Sequence, residues 1–315
     1  MCLSVGIAGP CGIIDIPMSA RIALVTVTYN SATVLEEFLT SVRALRGVDT
    51  LFYAIDNASK DDSVRRLESN PPPGSVVIAN KDNLGVAAGN NQGIHAALKD
   101  GATHVLLINN DVRFGPGLVA TLLAEMERCD AGMIVPKIYF ADTPKTIWCC
   151  GGFLDWKRGY MPRHYGAKET DVGQFDTAGW VEDAPTCCML IRAEVFAKVG
   201  FMDERYFVYG DDTDFVHRAR EGGFGLRYTP AVVLDHKVSI LTGGPYSEFS
   251  MRWSTRSRGL FIAKHYRGFK RVAAASIYRM YLLSRRITGH DAPDLYGRRL
   301  GYFKEGIQVA AQYKP

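Results

Sequence analysis

The sequence lacks the glycine-rich loops with which many nucleotide-binding folds hold a phosphate. The first strand predicted from the sequence, 22–29, is followed by neither G-x-G-x-x-G nor G-x-x-x-x-G-K-[ST]. In both motifs the glycines let the backbone approach the phosphate closely. Their absence argues against a dinucleotide-dependent dehydrogenase and against a phosphate-loop kinase.

Zinc-binding cysteine spacings and long hydrophobic runs are also missing. The seven cysteines include two adjacent pairs but no C-x-x-C, which argues against a structural zinc site and is typical of reduced cytosolic thiols. The longest late apolar run, 272–283, contains Arg279 and is too short to span a bilayer. Residues 1–17 have no basic leading segment, so we expect no signal peptide. We expect residues 1–20 to form a poorly ordered extension.

Acidic residues are scarce late in the chain. Residues 251–315 contain 14 lysines and arginines against 3 aspartates and glutamates, whereas residues 1–250 carry a net charge of −7. A basic segment behind a mildly acidic body predicts that the segment meets an anionic surface. No nucleic-acid-binding motif accompanies it, so nucleic acid is not expected as a partner.

What the sequence does contain is an alternation of apolar strands and amphipathic helices. Short connections between them predict an α/β fold, with a mostly parallel, Rossmann-like sheet flanked by helices. Thr33-x-x-Glu36 has the spacing of a capping box at the start of the first helix. The apolar face of that helix consists of Val34, Leu35, Phe38, Leu39 and Val42. The predicted strands are 22–29, 51–55, 76–79 and 104–108, and a second helix is predicted at about 86–98.

The fourth strand stops abruptly on Asn109, Asn110 and Asp111. Ligands of open α/β sheets bind at the carboxyl ends of the strands. Side-chain oxygens at that position suit a hard cation or a sugar diphosphate. The alternative is an Asn/Asp turn that only connects strand and helix.

A second acidic cluster lies at Asp211, Asp212 and Asp214. The apolar residues after it have helical spacing, so the three acids fall on the first turn of a helix. The helix dipole favours acids there. Three acids within four residues nevertheless exceed what a helix cap needs.

Taken in order, these motifs resemble those of the glycosyltransferase family 2 enzymes, which have the GT-A fold, over roughly residues 20–240. Each motif is weak alone, whereas their order and spacing are specific. The resemblance implies a catalytic domain at 21–250, made of a nucleotide-binding half (21–115) and an acceptor-binding half (116–250), and then a basic helical extension at 251–315. The motifs are Thr28-Tyr29-Asn30, Asp56-Asn57-Ala58-Ser59, Asn83-Leu84-Gly85 through Gly89-Asn90, Asn109-Asn110-Asp111 and Asp211-Asp212-Thr213-Asp214.

The resemblance also implies the substrate contacts. Thr28 and Asn30 would line the nucleoside pocket, and Asp56 would read the pyrimidine edge. Trp180, Tyr209 and Asp214 would contact the acceptor, although the two aromatic residues would serve equally well in a core. The full donor-binding set is Thr28, Tyr29, Asn30, Asp56, Asn57, Asn83, Gly85, Asn90, Asn109 and Asn110.

By the same resemblance, Asp111 would meet the Mg²⁺ or Mn²⁺ ion that bridges the donor phosphates. The chain departs from the family's D-x-D pattern because Asn109 replaces the first acid, which leaves one carboxylate in the motif. His236 lies 24 residues after Asp212, near the position of a metal-binding histidine in some members, including galactofuranosyltransferases. The alternative for His236 is a buried histidine hydrogen-bonded to a neighbour.

Asp211-Asp212 stands where the family usually has Glu-Asp, so Asp212 is the implied general base, with Asp211 beside it. An acceptor hydroxyl is a poor nucleophile until a carboxylate takes its proton, and the leaving diphosphate needs a cation. One base without a nucleophilic carboxylate implies direct displacement with inversion.

Within the family the motifs are most similar to those of bacterial rhamnosyltransferases that use dTDP-rhamnose in surface polysaccharide synthesis. A glycan or polyprenyl-diphosphate-linked acceptor would hold such an enzyme at the cytoplasmic face of the membrane, through the basic extension. A galactofuranosyltransferase or other UDP-sugar transferase remains open, as does a catalytically inactive sugar-nucleotide-binding subunit. A nucleotidyltransferase would need an early glycine-rich loop with a basic residue, which Thr28-Tyr29-Asn30 is not.

Overall fold

The structure is a computed structural model that describes residues 5–8, 13–16, 20–238 and 247–312. Its strands are β1 (Val5–Ala8), β2 (Ile13–Ile16), β3 (Arg21–Thr28), β4 (Asp49–Asp56), β5 (Ser75–Ala79), β6 (His104–Ile108), β7 (Val112–Phe114), β8 (Met133–Phe140), β9 (Ile147–Cys149), β10 (Gly152–Asp155), β11 (Met161–His164), β12 (Gly179–Val181), β13 (Cys188–Arg192) and β14 (Leu226–His236). Its helices are α1 (Ala32–Arg43), α2 (Ser63–Ser69), α3 (Val86–Lys99), α4 (Leu118–Cys129), α5 (Ala193–Val199), α6 (Asp211–Glu221), α7 (Glu248–His265), α8 (Gly268–Ile287) and α9 (Pro293–Gln312), with a 3₁₀ turn at Trp156–Arg158.

A mixed, mostly parallel sheet forms the centre of the molecule, in the order β12-β14-β8-β13-β6-β3-β4-β5. Strands β3, β4, β5 and β6 run parallel, β8 and β14 are parallel to each other, and β13 is antiparallel to both β6 and β8. The carboxyl ends of β3, β4, β6 and β14 therefore meet at one edge of the sheet. One apolar layer packs α1 and α4 on the sheet, and the other packs α3, α5 and α6 on its opposite face. The predicted α/β class is confirmed.

Helix α1 confirms the predicted apolar face and contradicts the predicted capping box. Its buried side is the predicted apolar face, together with Ser41. The predicted capping box at Thr33 is wrong, because the helix begins at Ala32 with Ser31 as N-cap. The N–H of Ala32 instead donates to Oδ2 of Asp61, at 3.0 Å, from the loop after β4. A neighbouring loop thus caps the helix.

Two regions without a clear sequence period contain regular structure. Strands β1 and β2 pair antiparallel within the predicted N-terminal extension, and the rest of residues 1–19 lies outside the described residues. Between residues 148 and 180, β10 and β11 form a separate antiparallel hairpin, with Gly152 opposite His164. Its strands are four residues long and only partly buried, so they show little period-2 pattern.

The basic extension predicted at 251–315 is built into the body. Helix α7 packs through Ser257 on the loop before α6, where the Gly210 backbone is in contact with it. Helices α7 and α9 touch backbone to backbone, because a Cβ on Gly306 would lie 1.9 Å from the carbonyl oxygen of Arg256, and one on Gly259 would lie 2.2 Å from that of Phe303. Within 20–238 and 247–312, every helix is too short or too polar to cross a bilayer.

Candidate active site

At the end of β4, Asp56 is buried and fixed by its own chain. Its Oδ1 accepts hydrogen bonds from the hydroxyls of Thr28 (2.8 Å) and Ser59 (2.6 Å), and its Oδ2 accepts one from the Ser59 N–H (2.9 Å). Since β3 and β4 are parallel neighbours, Thr28 and Asp56 sit opposite each other in register. The carboxylate is therefore held in one orientation before any nucleotide arrives.

The loop after β3 is joined to the loop after β4 through Asn30. Its backbone has φ 50°, a left-handed conformation that asparagine tolerates better than most residues. The Asn30 N–H donates to the Ser59 hydroxyl and its Oδ1 accepts from the N–H of Lys60, both at 2.8 Å. Tyr29 remains exposed next to this junction. The two loops thus form one rigid wall at the edge of the sheet.

The predicted donor-binding residues near the start of α3 make their contacts with other parts of the chain. Asn57 donates to the carbonyl of Gly85 at 2.9 Å, and Asn83 accepts from the Gly85 N–H at 3.0 Å. Gly85 has φ 86°, and a Cβ there would lie 2.4 Å from the carbonyl oxygen of Phe207, so a glycine is required. Asn90 is buried against the sulfur of Met202, 3.5 Å away, and points into the packing of α3.

The end of β6 meets the end of β14 at Asp111 and His236. Pairing of β7 with β14 places Val112 opposite His236, and the Nε2 of His236 lies 3.1 Å from Oδ1 of Asp111. Both residues are buried, and the His236 ring packs edge-on against Trp148 with the ring centres 4.4 Å apart. Two residues that the sequence separates widely therefore share one site.

Several polar atoms at this junction are buried without a hydrogen-bond partner in the described part of the chain. They are Asn110 Oδ1, Asp111 Oδ1 and His236 Nδ1, while the amide of Asn110 donates to the carbonyl of Val27 at 2.6 Å. Buried polar groups normally have partners, and an ion is one explanation for those that do not. Two oxygens and an imidazole fit a divalent cation.

The protein supplies only part of a metal site, however. The described residues contain no cluster of three or more His, Cys, Asp and Glu side chains that could hold a metal. Asn109, where the D-x-D pattern has its first acid, is exposed, and its N–H donates to the carbonyl of Cys187 at 2.9 Å. The donor diphosphate would have to provide the remaining oxygens.

The acids at the start of α6 lie near this junction. Burial raises the pKa of the Cys187 thiol, and the negative charges of Asp111 and of Asp212 both raise it further. Asp211 is buried, and burial together with the charge of Asp212 raises its pKa to about 8. Burial also raises the pKa of Asp212, although the N–H of Thr213 donates to its Oδ1 at 2.7 Å. Of the two, only Asp212 is partly exposed.

Two members of this acid cluster were missed at the sequence level. Asp183 is buried beside Asp212, and burial and that neighbouring charge raise its pKa to about 8. Arg258 of α7 is also buried, and its positive charge opposes both pKa shifts. Its Nη1 donates to the carbonyl of Tyr160 at 2.5 Å. Asp183 lies between the stretch without a sequence period, 148–180, and the following strand, and Arg258 was counted among the basic residues of the extension.

The three predicted acceptor residues do not come together. Asp214 is fully buried and bound to Arg218, Lys264 and His265, so it cannot reach an acceptor in this structure. Trp180 is exposed but pairs with Arg227 near the start of β14, whereas His236 is the last residue of that strand. The hydroxyl of Tyr209 is 2.9 Å from that of Ser250, between the loop before α6 and the start of α7.

Comparison with known proteins agrees with this architecture. The sequence model described as Glycosyl transferase family 2 matches residues 23–200. An N-acetylglucosaminyl-diphospho-decaprenol L-rhamnosyltransferase of Mycobacterium tuberculosis is 28% identical over 279 residues, covering 81% of this chain and 88% of that protein. Galactofuranosyltransferase GlfT1 of the same organism is 27% identical over 286 residues, covering 85% and 91%.

Solved structures show the same fold at low identity. GalNAc-T7 with UDP, GalNAc and Mn²⁺ has a TM-score of 0.60 at 14% identity, covering 93% of this chain and 57% of that one. Mannosyltransferase PcManGT from Pyrobaculum calidifontis, in complex with GDP-Man and Mn²⁺, has a TM-score of 0.53 at 14% identity, covering 94% and 88%. The central sheet and flanking helices are thus of the GT-A type.

Proposed function

Because the chain belongs to glycosyl transferase family 2, we propose that it moves a sugar from a nucleoside-diphosphate donor to a lipid-linked or glycan acceptor with inversion. The meeting of Asp111 and His236 at the sheet edge, close to the partly exposed Asp212, carries the proposal. The donor's nucleoside would lie along the Thr28, Asn30 and Asp56 wall. Its diphosphate would point toward the Asp111 end.

In the proposed reaction Asp212 is the general base. Its carboxylate takes the proton of the acceptor hydroxyl while the hydroxyl oxygen bonds to the anomeric carbon, and the bond from that carbon to the diphosphate breaks. A carboxylate whose pKa is raised above its usual value is a stronger base at neutral pH. Asp211 is buried behind it and would hold a proton instead.

Asn110, Asp111 and His236 would hold a divalent cation with the donor bound. Such an ion supplies a Lewis acid that neutralises the charge developing on the leaving diphosphate. The unpartnered oxygens of Asn110 and Asp111 support this assignment. Mn²⁺ suits the imidazole of His236 better than Mg²⁺ does, whose preference is for oxygen.

For the sugar we propose L-rhamnose from dTDP-rhamnose, with an acceptor on a polyprenyl diphosphate, because the mycobacterial rhamnosyltransferase relative acts on such a lipid. That acceptor would place the enzyme peripherally at the cytoplasmic face of a membrane. The galactofuranosyltransferase relative supports UDP-galactofuranose as the second candidate donor.

The test incubates the full chain with dTDP-rhamnose or UDP-galactofuranose, Mn²⁺ and a short-chain polyprenyl diphosphate carrying N-acetylglucosamine. We expect an inverted rhamnosyl product by nuclear magnetic resonance. Thermal stabilisation by donors without turnover of any of them would favour the inactive sugar-nucleotide-binding subunit. Product from UDP-galactofuranose alone would favour the second candidate.

A further inference from the structure

The outer side of α8 carries a row of exposed apolar side chains. Their spacing of three and four residues, interrupted once, places them along one side of the helix. Phe269 is 87% exposed and Ile287 is 76% exposed, so the row extends over the whole helix. Exposed apolar side chains aligned on one side of a helix indicate an interaction surface. The row consists of Phe269, Val272, Met280, Leu283 and Ile287, while Ala274, Ala275, Tyr278 and Leu282 on the other side are buried.

The charges of α8 select the kind of partner. The helix contains five basic residues and no acidic one. Arg285 is bound to Asp291 at 2.8 Å, whereas Lys270, Arg279 and Arg286 are exposed. A second copy of the chain pairing along this row would bring like charges together. An anionic surface would complement them.

A second segment lies beside the row and meets it at Met280. The 3₁₀ turn at the tip of the β10–β11 hairpin packs against the buried side of α8, because a Cβ on Gly159 would be 2.7 Å from that of Tyr278. On this turn Trp156 is 58% exposed, and the guanidinium of Arg158 lies 5.6 Å from the ring centre of Tyr281. An exposed tryptophan followed by two cations, here Lys157 and Arg158, is typical of a membrane-interface contact.

Between this turn and α8 there is a groove of about 510 Å³. Its cations, Lys157, Arg158 and Arg163, come from the hairpin, and its apolar lining, Ile277 and Met280, comes from α8. One acid, Asp155, lies 3.7 Å from Arg158 and 3.6 Å from Arg163, so positive charge predominates. Cations above an apolar floor suit a phosphate headgroup and its first methylene groups.

We propose that α8 and the Trp156–Arg158 turn together form a docking face for an anionic phospholipid membrane. The hairpin also fixes the distance from this face to His236 in the candidate active site. At its other end Gly152 pairs with His164, whose ring packs on Trp148, which in turn contacts His236. Three residue steps of strand separate the two ends, which is roughly 10 Å. This inference rests on the proposed function only for the lipid-linked acceptor, whose sugar would reach the site at that height.

The experiment measures co-sedimentation of the full chain with phosphatidylcholine vesicles, with and without phosphatidylglycerol. We expect binding only when phosphatidylglycerol is present, and weakening by salt. The double variant Phe269→Ser/Ile287→Ser should reduce partitioning about tenfold or more. Lys270→Glu/Arg279→Glu should do the same by reversing two charges. Trp156→Ser should reduce it about threefold or more.

Matched controls change equally exposed residues elsewhere. Val172 is 83% exposed on a loop, and Val172→Ser should leave partitioning unchanged. Lys99→Glu/Lys198→Glu reverses two exposed charges on α3 and α5 and should cost much less than the α8 pair. Equal loss in the control pair would show a diffuse charge effect and overturn the proposal. An effect of the α8 variants without one from Trp156→Ser would overturn the two-segment face.

A separate readout keeps this proposal apart from the proposed function. Release of nucleoside diphosphate from the donor without vesicles reports on the sheet-edge site, and we expect every α8 variant to retain it. Vesicle binding should in turn survive Asp212→Asn. Failure of wild-type binding to anionic vesicles, or self-association that Phe269→Ser/Ile287→Ser abolishes, would overturn the docking face and leave the transferase proposal standing.

Discussion

The first turn of α6 carries two acidic environments that differ in what surrounds the carboxylate. Burial raises the pKa of Asp211 and of Asp212, and the positive charge of Arg258, which also acts on Asp183, opposes the shift of Asp212 only in part. Burial would raise the pKa of Asp214 too, but the hydrogen bond from His265 and the charges of Lys264 and Arg218 hold it below the usual range. Adjacent residues of the same type therefore have opposite properties. Fully paired acids hold the fold, and under-compensated ones are available for proton transfer.

The largest expected effect is on turnover, and it comes from the pair Asp211 and Asp212, whose negative charges are only partly compensated. Asp212→Asn should lower the rate of sugar transfer about 10²-fold or more, because the acceptor hydroxyl loses its base. Donor affinity, measured by calorimetry, should be retained. The matched control is Asp211→Asn, which changes the buried neighbour and should cost less. Near-normal turnover in Asp212→Asn, with loss in Asp211→Asn, would transfer the role to Asp211.

On the paired side, the expected effect is on stability. Asp214→Asn leaves Arg218, Lys264 and His265 without their common partner, and should lower the free energy of unfolding by about 3–5 kcal/mol. Urea denaturation measures it. Asp62→Asn makes the same change in an exposed pair, the one with Arg65, and should change stability far less. If Asp214→Asn unfolds at the wild-type midpoint, the ion network does not hold the fold.

Asp111 extends the comparison, because its buried Oδ1 lies 3.1 Å from Nε2 of His236 and has no hydrogen bond within the described residues. It should thus behave like Asp212 and not like Asp214. We expect Asp111→Ala to weaken metal-dependent donor binding about tenfold or more, and His236→Ala to shift the preference between Mn²⁺ and Mg²⁺ by a smaller factor. Metal titrations of donor binding measure both.

The control for the metal titration is His290→Ala, which removes an exposed histidine in the loop after α8. It should leave the titration curve unchanged. An unchanged curve for His236→Ala as well would favour the alternative in which His236 is a buried histidine with a structural role.

The last expected effect is a dependence of stability on pH. The native pKa of Asp183 is raised from 3.8 to about 8, so the folded state binds this proton more tightly than the unfolded state does. Its contribution to stability is full below pH 3.8 and is lost as the pH rises through about 8. An amide side chain at this position would not titrate, so Asp183→Asn should gain stability relative to wild type between about pH 5 and about pH 9. Melting temperatures at the two pH values measure this gain, and an equal difference at both would contradict the assignment.

The parts of the molecule that could be predicted from sequence are those with local signals. Strand β6 and the buried face of α1 follow from apolar period and length, and both match the structure. The capping box failed because Asp61, from another loop, reaches the helix start. Asp183 and Arg258 carry no local signal, since their importance arises only when the β10 region and α7 converge on α6.

The extension at 251–315 illustrates the same limit. Composition identified its charge, but not that α7 would supply a buried arginine to the acid cluster. A truncation near residue 250 would therefore remove part of the site together with the docking face. The double substitutions on α8 change the docking face and leave Arg258 in place, so the vesicle experiment uses them on the full chain.

The backbone contact between α7 and α9 has a consequence for biosynthesis. Residues 20–238 emerge from the ribosome before either helix, and domains generally fold from the N-terminus during synthesis. At that stage the acids beside α6 lack Arg258, and Asp214 lacks Lys264 and His265. Helix α7 is held by α9 only when Gly259 approaches the backbone of Phe303 and Gly306 approaches that of Arg256. The carboxylates of α6 therefore receive their last cationic partners from a segment that is fixed in place only after more than sixty further residues have been made.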